Sequence, residues 1–253
     1  MAKEILAFKT QSEKAELPRV LGVWDVISII VGGVIGSGIF IVPATVAGNV
    51  ASPLLIMSVW IFGGLLCFFG ALAFGELAAM FPQAGGMYIY LREAYGSLLS
   101  FLFGWTLFLV IDSGAIATLA VAFSSKYLPH FLPNLSFIAT KLIAIGLVIF
   151  LAIVNYVGVR WGALLQNILT LIKFGAIVAI CAIVFTLAKG NIANWVKPAP
   201  AFSSDIISKF GLALVATLWA YKGWESSTFS SGEVKNPQRN LPLGLLAGTL
   251  IVI

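Results

Sequence analysis

From Val26 to Ser125 only four side chains are charged: Glu76, Arg92, Glu93 and Asp112. No water-soluble fold can hide that much uninterrupted apolar chain, and a bilayer can. A helix crossing the hydrocarbon core needs about 20 apolar residues. The apolar runs divide into spans at roughly 22–48, 54–80, 97–127, 137–155, 161–188 and 208–234, with a seventh starting near 243. Several exceed the minimum, which points to tilt or interruption. Charged residues make up 10% of the chain, against about 25% in an average soluble domain. The expected fold class is therefore all-α integral membrane, with residues 1–20 a polar cytoplasmic tail and 21–253 a transmembrane domain. The seventh span stops at Ile253, so a fragment of a longer protein is expected.

Between the second and third spans lies "PQAGGMYIYLREAYG". It is too polar to cross and is aromatic and amphipathic, so an interfacial helix is expected at about 83–95. Residues 189–207 look similar but less regular. Lys3, Lys9, Lys14, Arg19, Arg92, Arg160, Lys235 and Arg239 fall on the side of the N-terminus, and Lys126, Lys141, Lys189, Lys197 and Lys209 on the other. Eight against five favours a cytoplasmic N-terminus.

Several function classes drop out. The net charge of +5 is scattered over the breaks between apolar runs, so nucleic acid is not an expected partner. Cys67 and Cys181 lie inside apolar runs and imply no disulfide framework. One histidine, His130, is too little for a metal site. No Ser/His/Asp set and no phosphate-binding loop is present, so neither an enzyme nor a cofactor is expected, and the partners are the bilayer and a small molecule. No cleavable signal segment precedes the first span.

The first span contains "SIIVGGVIGSGIF", with four glycines at 32, 33, 36 and 38. Glycine costs a soluble helix about 1 kcal/mol relative to Ala. Gly32 and Gly36 form a GxxxG pair, which suits close helix packing. Alternatively the helix unwinds at Gly36-Ser37-Gly38. An unwound segment frees N–H groups at the start of the second half-helix, where anions bind. It also leaves carbonyls ending the first half-helix, which face cations. The sixth span, "ALVATLWAYKGWESSTFSSGEV", places Lys222 and Gly223 near its centre, poor ingredients for a continuous helix in lipid. Paired interruptions in matching spans are the sequence pointer to a transporter binding site. That match favours broken helices, with Gly36 and Gly38 at the break and Gly32 and Gly33 left to packing.

"GVIGSGIFIVPA", "FGELAAMFPQAGGMYIYLREAYG" and "AYKGWESSTFSSGEVKNPQRNLP" together resemble the amino acid permeases of the amino acid–polyamine–organocation (APC) superfamily. The nearest likeness is to the L-type amino acid transporter and exchanger branch, and it covers the chain from about Leu21. The resemblance implies a LeuT-like fold of five-plus-five inverted repeats. This chain would hold the first repeat and about one and a half helices of the second. It implies secondary active amino acid transport by alternating access at the plasma membrane, by sodium-independent exchange or proton-coupled uptake. Polyamine or other organic-cation transport in the same superfamily, and a channel-like or inactive fragment, are the alternatives.

The resemblance also distributes roles. The amides of Gly36, Ser37 and Gly38 match the segment holding the substrate carboxylate, with Ile35 and Ile39 on either side. The carbonyls near Ile35, Trp219, Ala220 and Tyr221 match those holding the ammonium, and Gly223 and Trp224 lie at the second break. Lys222 departs from the Asp, Ser or Gly frequent in the family there. Lys173 lies about twelve residues, roughly 18 Å, into the fifth span, too deep for easy snorkelling. In sodium-independent members a Lys in this helix stands in for a bound Na⁺. Asp112 is a mid-span acid and a candidate proton site. Lys222 and Glu225, three apart, are candidate gating residues or a local ion pair.

Overall fold

The computed structural model describes residues 17–50, 52–157, 159–187 and 203–253. Among these residues all regular structure is helical apart from one isolated β-bridge. Contacts divide the chain into two compact units: one contains the residues up to Tyr90 and from Ile177 to Ile253, the other Leu91–Ala176.

In the first unit, the span expected at 22–48 is two helices, α1 (Val23–Val34) and α2 (Gly38–Asn49), meeting at 49°. The Asp25 carboxylate accepts the Gly22 N–H at 2.8 Å and so satisfies one orphan donor at the start of α1. α3 (Pro53–Met80) is continuous, started by Pro53 at its first position, where a missing N–H costs nothing. The amphipathic stretch forms α4 (Met87–Tyr95), shorter than the expected 83–95 because Gly85 and Gly86 adopt positive φ just before it.

α5 (Ser97–His130) is one long helical run in the second unit. It contains two π-turns, Leu107–Asp112 and Phe123–Tyr127. The Ser113 hydroxyl donates to the Phe108 carbonyl at 2.6 Å, bridging the first of them. The second half of α5 packs along α6 (Phe137–Val157). α7 (Val159–Leu187) follows.

The expected sixth span, 208–234, is not one helix. α8 (Ser204–Tyr221) stops at Lys222 and Gly223, and Trp224–Glu233 coils as a 3₁₀ segment. α9 (Pro237–Val252) begins six residues earlier than the seventh span expected from 243, with Pro242 inside it. Among the described residues four helices are long and apolar enough to cross a membrane: α3, α5, α6 and the Ile168–Leu187 part of α7. The bent pair α1 plus α2 makes five. The tail at 1–16 and most of the loop at 189–207 lie outside the described residues.

The core of the first unit joins α1, α3 and α9. Val26, Ile30, Leu241 and Leu245 are fully buried there. The hydrophobic effect does not drive helices together within lipid, so association depends on close packing of small residues. At Gly244 an added Cβ would press into Val26 Cγ1 and lie 2.7 Å from Val26 Cβ. At Gly248 it would lie 3.0 Å from Ile30 Cβ. The helices touch where α9 has no side chain. Around Gly32, by contrast, nothing lies within 4 Å. Gly33 packs as expected, but the expected packing role of Gly32 does not hold, because the Gly32 face of α1 meets no neighbour among the described residues.

The two glycines therefore respond in opposite directions to the same substitution. Gly32→Ala is expected to stabilise by about 1 kcal/mol through helix propensity. Gly244→Ala is expected to destabilise by about 1–3 kcal/mol through overpacking. Thermal unfolding of the two purified variants, followed by size-exclusion chromatography, checks the sign of each.

Candidate functional site

Both interruptions expected from sequence are present, and they touch. α1 ends at Val34, and Ile35 turns the chain out of the helix with φ −71° and ψ 79°. The Gly36 N–H donates back to the Val34 carbonyl at 2.7 Å, a tight turn. The helix restarts at Gly38, so the unwound residues are Ile35, Gly36 and Ser37, one position earlier than Gly36-Ser37-Gly38. On the other side, Lys222 is extended, with φ −58° and ψ 139°. Gly223 follows at φ 122°, a conformation L side chains rarely adopt.

The close approach explains why glycine stands at both breaks. A Cβ on Gly223 would lie 2.9 Å from the Gly33 carbonyl oxygen. One on Gly33 would lie 3.3 Å from the Gly223 carbonyl oxygen. A Cβ on Gly38 would lie 2.9 Å from Ala220 Cα. The last turn of α1 and the first turn of α2 are thus pressed against the end of α8, main chain to main chain.

Polar groups at the breaks divide into used and unused. The Trp219 carbonyl accepts the Lys222 N–H at 3.2 Å. The Gly223 carbonyl accepts the Ser226 N–H at 3.1 Å and the Ser226 hydroxyl at 2.6 Å. The Gly223 N–H donates to Glu225 Oε2 at 3.1 Å. At the start of α2 the Phe40 N–H donates to the Ser37 carbonyl at 3.2 Å. The N–H groups of Ser37, Gly38 and Ile39 precede any carbonyl that α2 can offer them. N–H groups placed in this way at a helix N-terminus attract an anion.

The aromatic residues of the second break have separate positions. Tyr221 is buried: its ring packs edge-on against Trp60 at 5.7 Å, and its hydroxyl donates to the Trp60 carbonyl at 3.4 Å. Its side chain therefore packs against α3. Trp219 is 49% exposed. Trp224 meets Phe74 edge-on at 5.1 Å and covers Gly70.

Lys222, Trp224 and Glu225 share a pocket of about 330 Å³. Leu66, Phe74 and Leu218 supply apolar walls, and Cys67 and Met87 complete it. Lys222 is exposed and Glu225 half-buried. Among the described residues no ion pair joins the two, so of the two alternatives, gating or a local ion pair, the pairing is absent; Arg92 pairs with Glu93 and Lys209 with Asp205. Nothing in the sequence marks Leu66, Cys67 or Phe74 for this pocket, because they are ordinary apolar residues of α3 until the fold brings α8 to them.

Lys173 and Asp112 belong to the second unit. Lys173 is half-buried on α7, and Asp112 is exposed at the end of the first π-turn of α5. A π-turn inside a helix often marks a functional position.

Comparison with known proteins gives the family. Residues 21–253 match the family model described as amino acid permease. The b(0,+)-type amino acid transporter 1 of Mus musculus is 35% identical over 96% of this chain and 50% of its own length. The Serine/threonine exchanger SteT of Bacillus subtilis is 32% identical over 95% of this chain and 53% of its own. The Cystine/glutamate transporter of Homo sapiens is 35% identical over 95% and 48%. The chain spans about half the length of the curated relatives it matches. With its apolar membrane helices and a family match from Leu21 to its last residue, the chain belongs to the amino acid permease family of the APC superfamily, a family of transporters and not enzymes.

Proposed function

We propose that this chain carries the substrate-holding breaks of a secondary active amino acid transporter with a LeuT-like inverted-repeat fold. It sits in the plasma membrane with its N-terminus in the cytoplasm and works by alternating access. The observation that carries this reading is the meeting of two interrupted helices at Gly33/Gly223 and Gly38/Ala220. The amides of Ser37, Gly38 and Ile39 take the amino acid carboxylate. Carbonyls at the end of α1 and near Trp219 to Tyr221 take the ammonium. An added Cβ at Gly36 would meet only ordinary contacts at 3.8 Å and beyond, so the close approach rests on Gly33, Gly38 and Gly223 instead.

The mode we infer is exchange without sodium; one similar protein is named as an exchanger. In that mode Lys173 supplies the fixed positive charge that a bound Na⁺ would otherwise provide. If uptake is instead proton-coupled, Asp112 is the residue to titrate. The complete gene product in proteoliposomes is expected to show counterflow of radiolabelled amino acids, stimulated by unlabelled amino acid on the opposite side. The rate is expected to be the same in sodium and in choline buffer. Loss of uptake in choline would overturn the sodium-independent reading, and conductive flux without trans-stimulation would overturn transport itself.

Ser37 tests the carboxylate site by subtraction of one donor. Its φ of −67° already suits proline, so Ser37→Pro deletes the N–H with little change in backbone geometry. A hydrogen bond to a charged group contributes about 1.5–3 kcal/mol, which corresponds to about 10–100-fold in affinity. Ser37→Pro is expected to weaken amino acid binding by that range while membrane insertion is kept, and Ser37→Ala to leave it nearly unchanged. Equal binding by both variants would remove the amides from the site.

A further inference from the structure

We propose that residues 84–86, the turn before α4, and residues 228–232, in the 3₁₀ coil, form one body that travels intact through the transport cycle. Tyr90 is the positioning residue that holds the two together. The proposal rests on the transport reading above. It concerns how the coil after the second break is carried, not what the breaks bind.

Main chain meets main chain along this contact. A Cβ on Gly86 would lie 2.6 Å from Thr228 Oγ1 and 3.2 Å from the Phe229 nitrogen. One on Gly232 would lie 3.2 Å from both the Cβ and the nitrogen of Ala84. Gly85 and Gly86, at φ 126° and 50°, bend the turn into this fit. The Gly85 N–H donates across it to the Phe229 carbonyl at 3.1 Å. Faces packed this closely do not deform continuously; they hold or they part. A continuous helix would take its orientation from α8. Interrupted at Lys222 and Gly223, the coil takes its orientation from the elements that hold it. Hinges absorb their change in a few residues at the ends of elements, and this break is placed to be one.

Tyr90 extends the contact from the turn into α4. Its ring is buried, edge-on to Phe74 at 5.8 Å and tilted against Phe81 at 6.5 Å. Its hydroxyl lies beside those of Thr228 and Ser231 without completing a hydrogen bond to either. Thr228 and Ser231 donate their own protons to the Glu225 and Thr228 carbonyls. Their oxygens are left as acceptors, and Tyr90 is the donor that suits them. A buried hydroxyl without a partner is costly. Closure of the coil onto α4 removes that cost, and separation of the two does not.

The test uses the complete gene product in proteoliposomes, with Ala84→Cys and Gly232→Cys combined and oxidised by copper phenanthroline. The 3.2 Å between the two Cβ positions is just under the separation in natural disulfides, about 3.5–4.5 Å, so the link is expected to form with a small adjustment. Non-reducing peptide mass spectrometry identifies it. The oxidised and reduced proteins are expected to exchange amino acids at rates within about twofold of each other. A loss of about tenfold or more on oxidation, reversed by dithiothreitol, overturns the proposal, because the two elements then part during the cycle. Failure of the pair to link overturns it as well. Tyr90→Phe is expected to lower the maximal exchange rate by about three- to tenfold, the effect of one hydrogen bond, with the half-saturating concentration unchanged. Oxidation of the cysteine pair in the Tyr90→Phe background is expected to restore the rate, since the covalent link replaces the hydroxyl. A loss that the link does not restore overturns the role of Tyr90. Where the cysteine pair does not fold, Tyr90→Phe decides alone, and an unchanged rate or a raised half-saturating concentration overturns the proposal. Wild-type protein without counterflow would overturn the transport reading, and this proposal with it.

Discussion

Inside a bilayer every main-chain N–H and C=O needs a partner supplied by the protein, and a broken helix leaves several without one. The first unit answers this by placing one break against another. The final turn of α1 reaches Gly223 and the first residue of α2 reaches Ala220, with no side chain between the main chains. That contact has two consequences. It shields unwound backbone that lipid would not tolerate, and it collects the unused polar groups of two helices in one place. Any residue larger than glycine at 38 or 223 forces the main chains to shift apart, and at 33 Ser226 and Gly223 would have to give by a few tenths of an ångström.

The 3₁₀ segment after Gly223 is stabilised by its own composition. Ser226, Thr228 and Ser231 each donate a hydroxyl to the carbonyl three residues earlier, at 2.6, 2.7 and 2.6 Å. Hydroxyls at these positions hold the carbonyls of a tight coil that lacks the better-aligned bonds of an α-helix. The segment is further tied at its end. The Glu233 carbonyl accepts the N–H groups of Val20 and Leu21 at 2.8 and 2.9 Å, and the Lys235 N–H donates to the Leu21 carbonyl at 2.8 Å. The chain entering α1 and the chain leaving the second break are therefore bound to one another, and both interrupted helices are located from the same end. On the other flank, the Gly85 N–H donates to the Phe229 carbonyl at 3.1 Å, which docks the turn before α4 onto the same segment.

Much of the fold is legible from residue order. Long apolar runs locate α3, α5, α6 and α7, because the thickness of the hydrocarbon layer sets a length that composition reveals directly. The two interruptions are legible as well, since glycine and lysine in mid-span weaken a helix that lipid would otherwise keep continuous. Sequence and structure part where local pattern and packing diverge. Residues 208–234 read as one span by hydropathy, although the Ser-rich half coils as 3₁₀. Pro242 looks like a helix start, whereas Asn236 and Pro237 begin α9 and Pro242 lies inside its first turns. The spacing of Gly32 from Gly36 suggests packing, but the neighbouring helix approaches the other side of α1.

Sequence alone determined that the chain is an all-helical membrane protein with two broken helices, because bilayer thickness and helix propensity act on each segment separately. Only the tertiary structure decided that Gly33 meets Gly223, that Tyr221 turns into the core beside Trp60, and that Lys222 and Glu225 share an apolar pocket without pairing. These are relations between segments, as far apart in the chain as Trp60 and Tyr221, and no local pattern encodes which faces will approach. Close packing of small residues selects the faces, and that selection exists only when both helices are present.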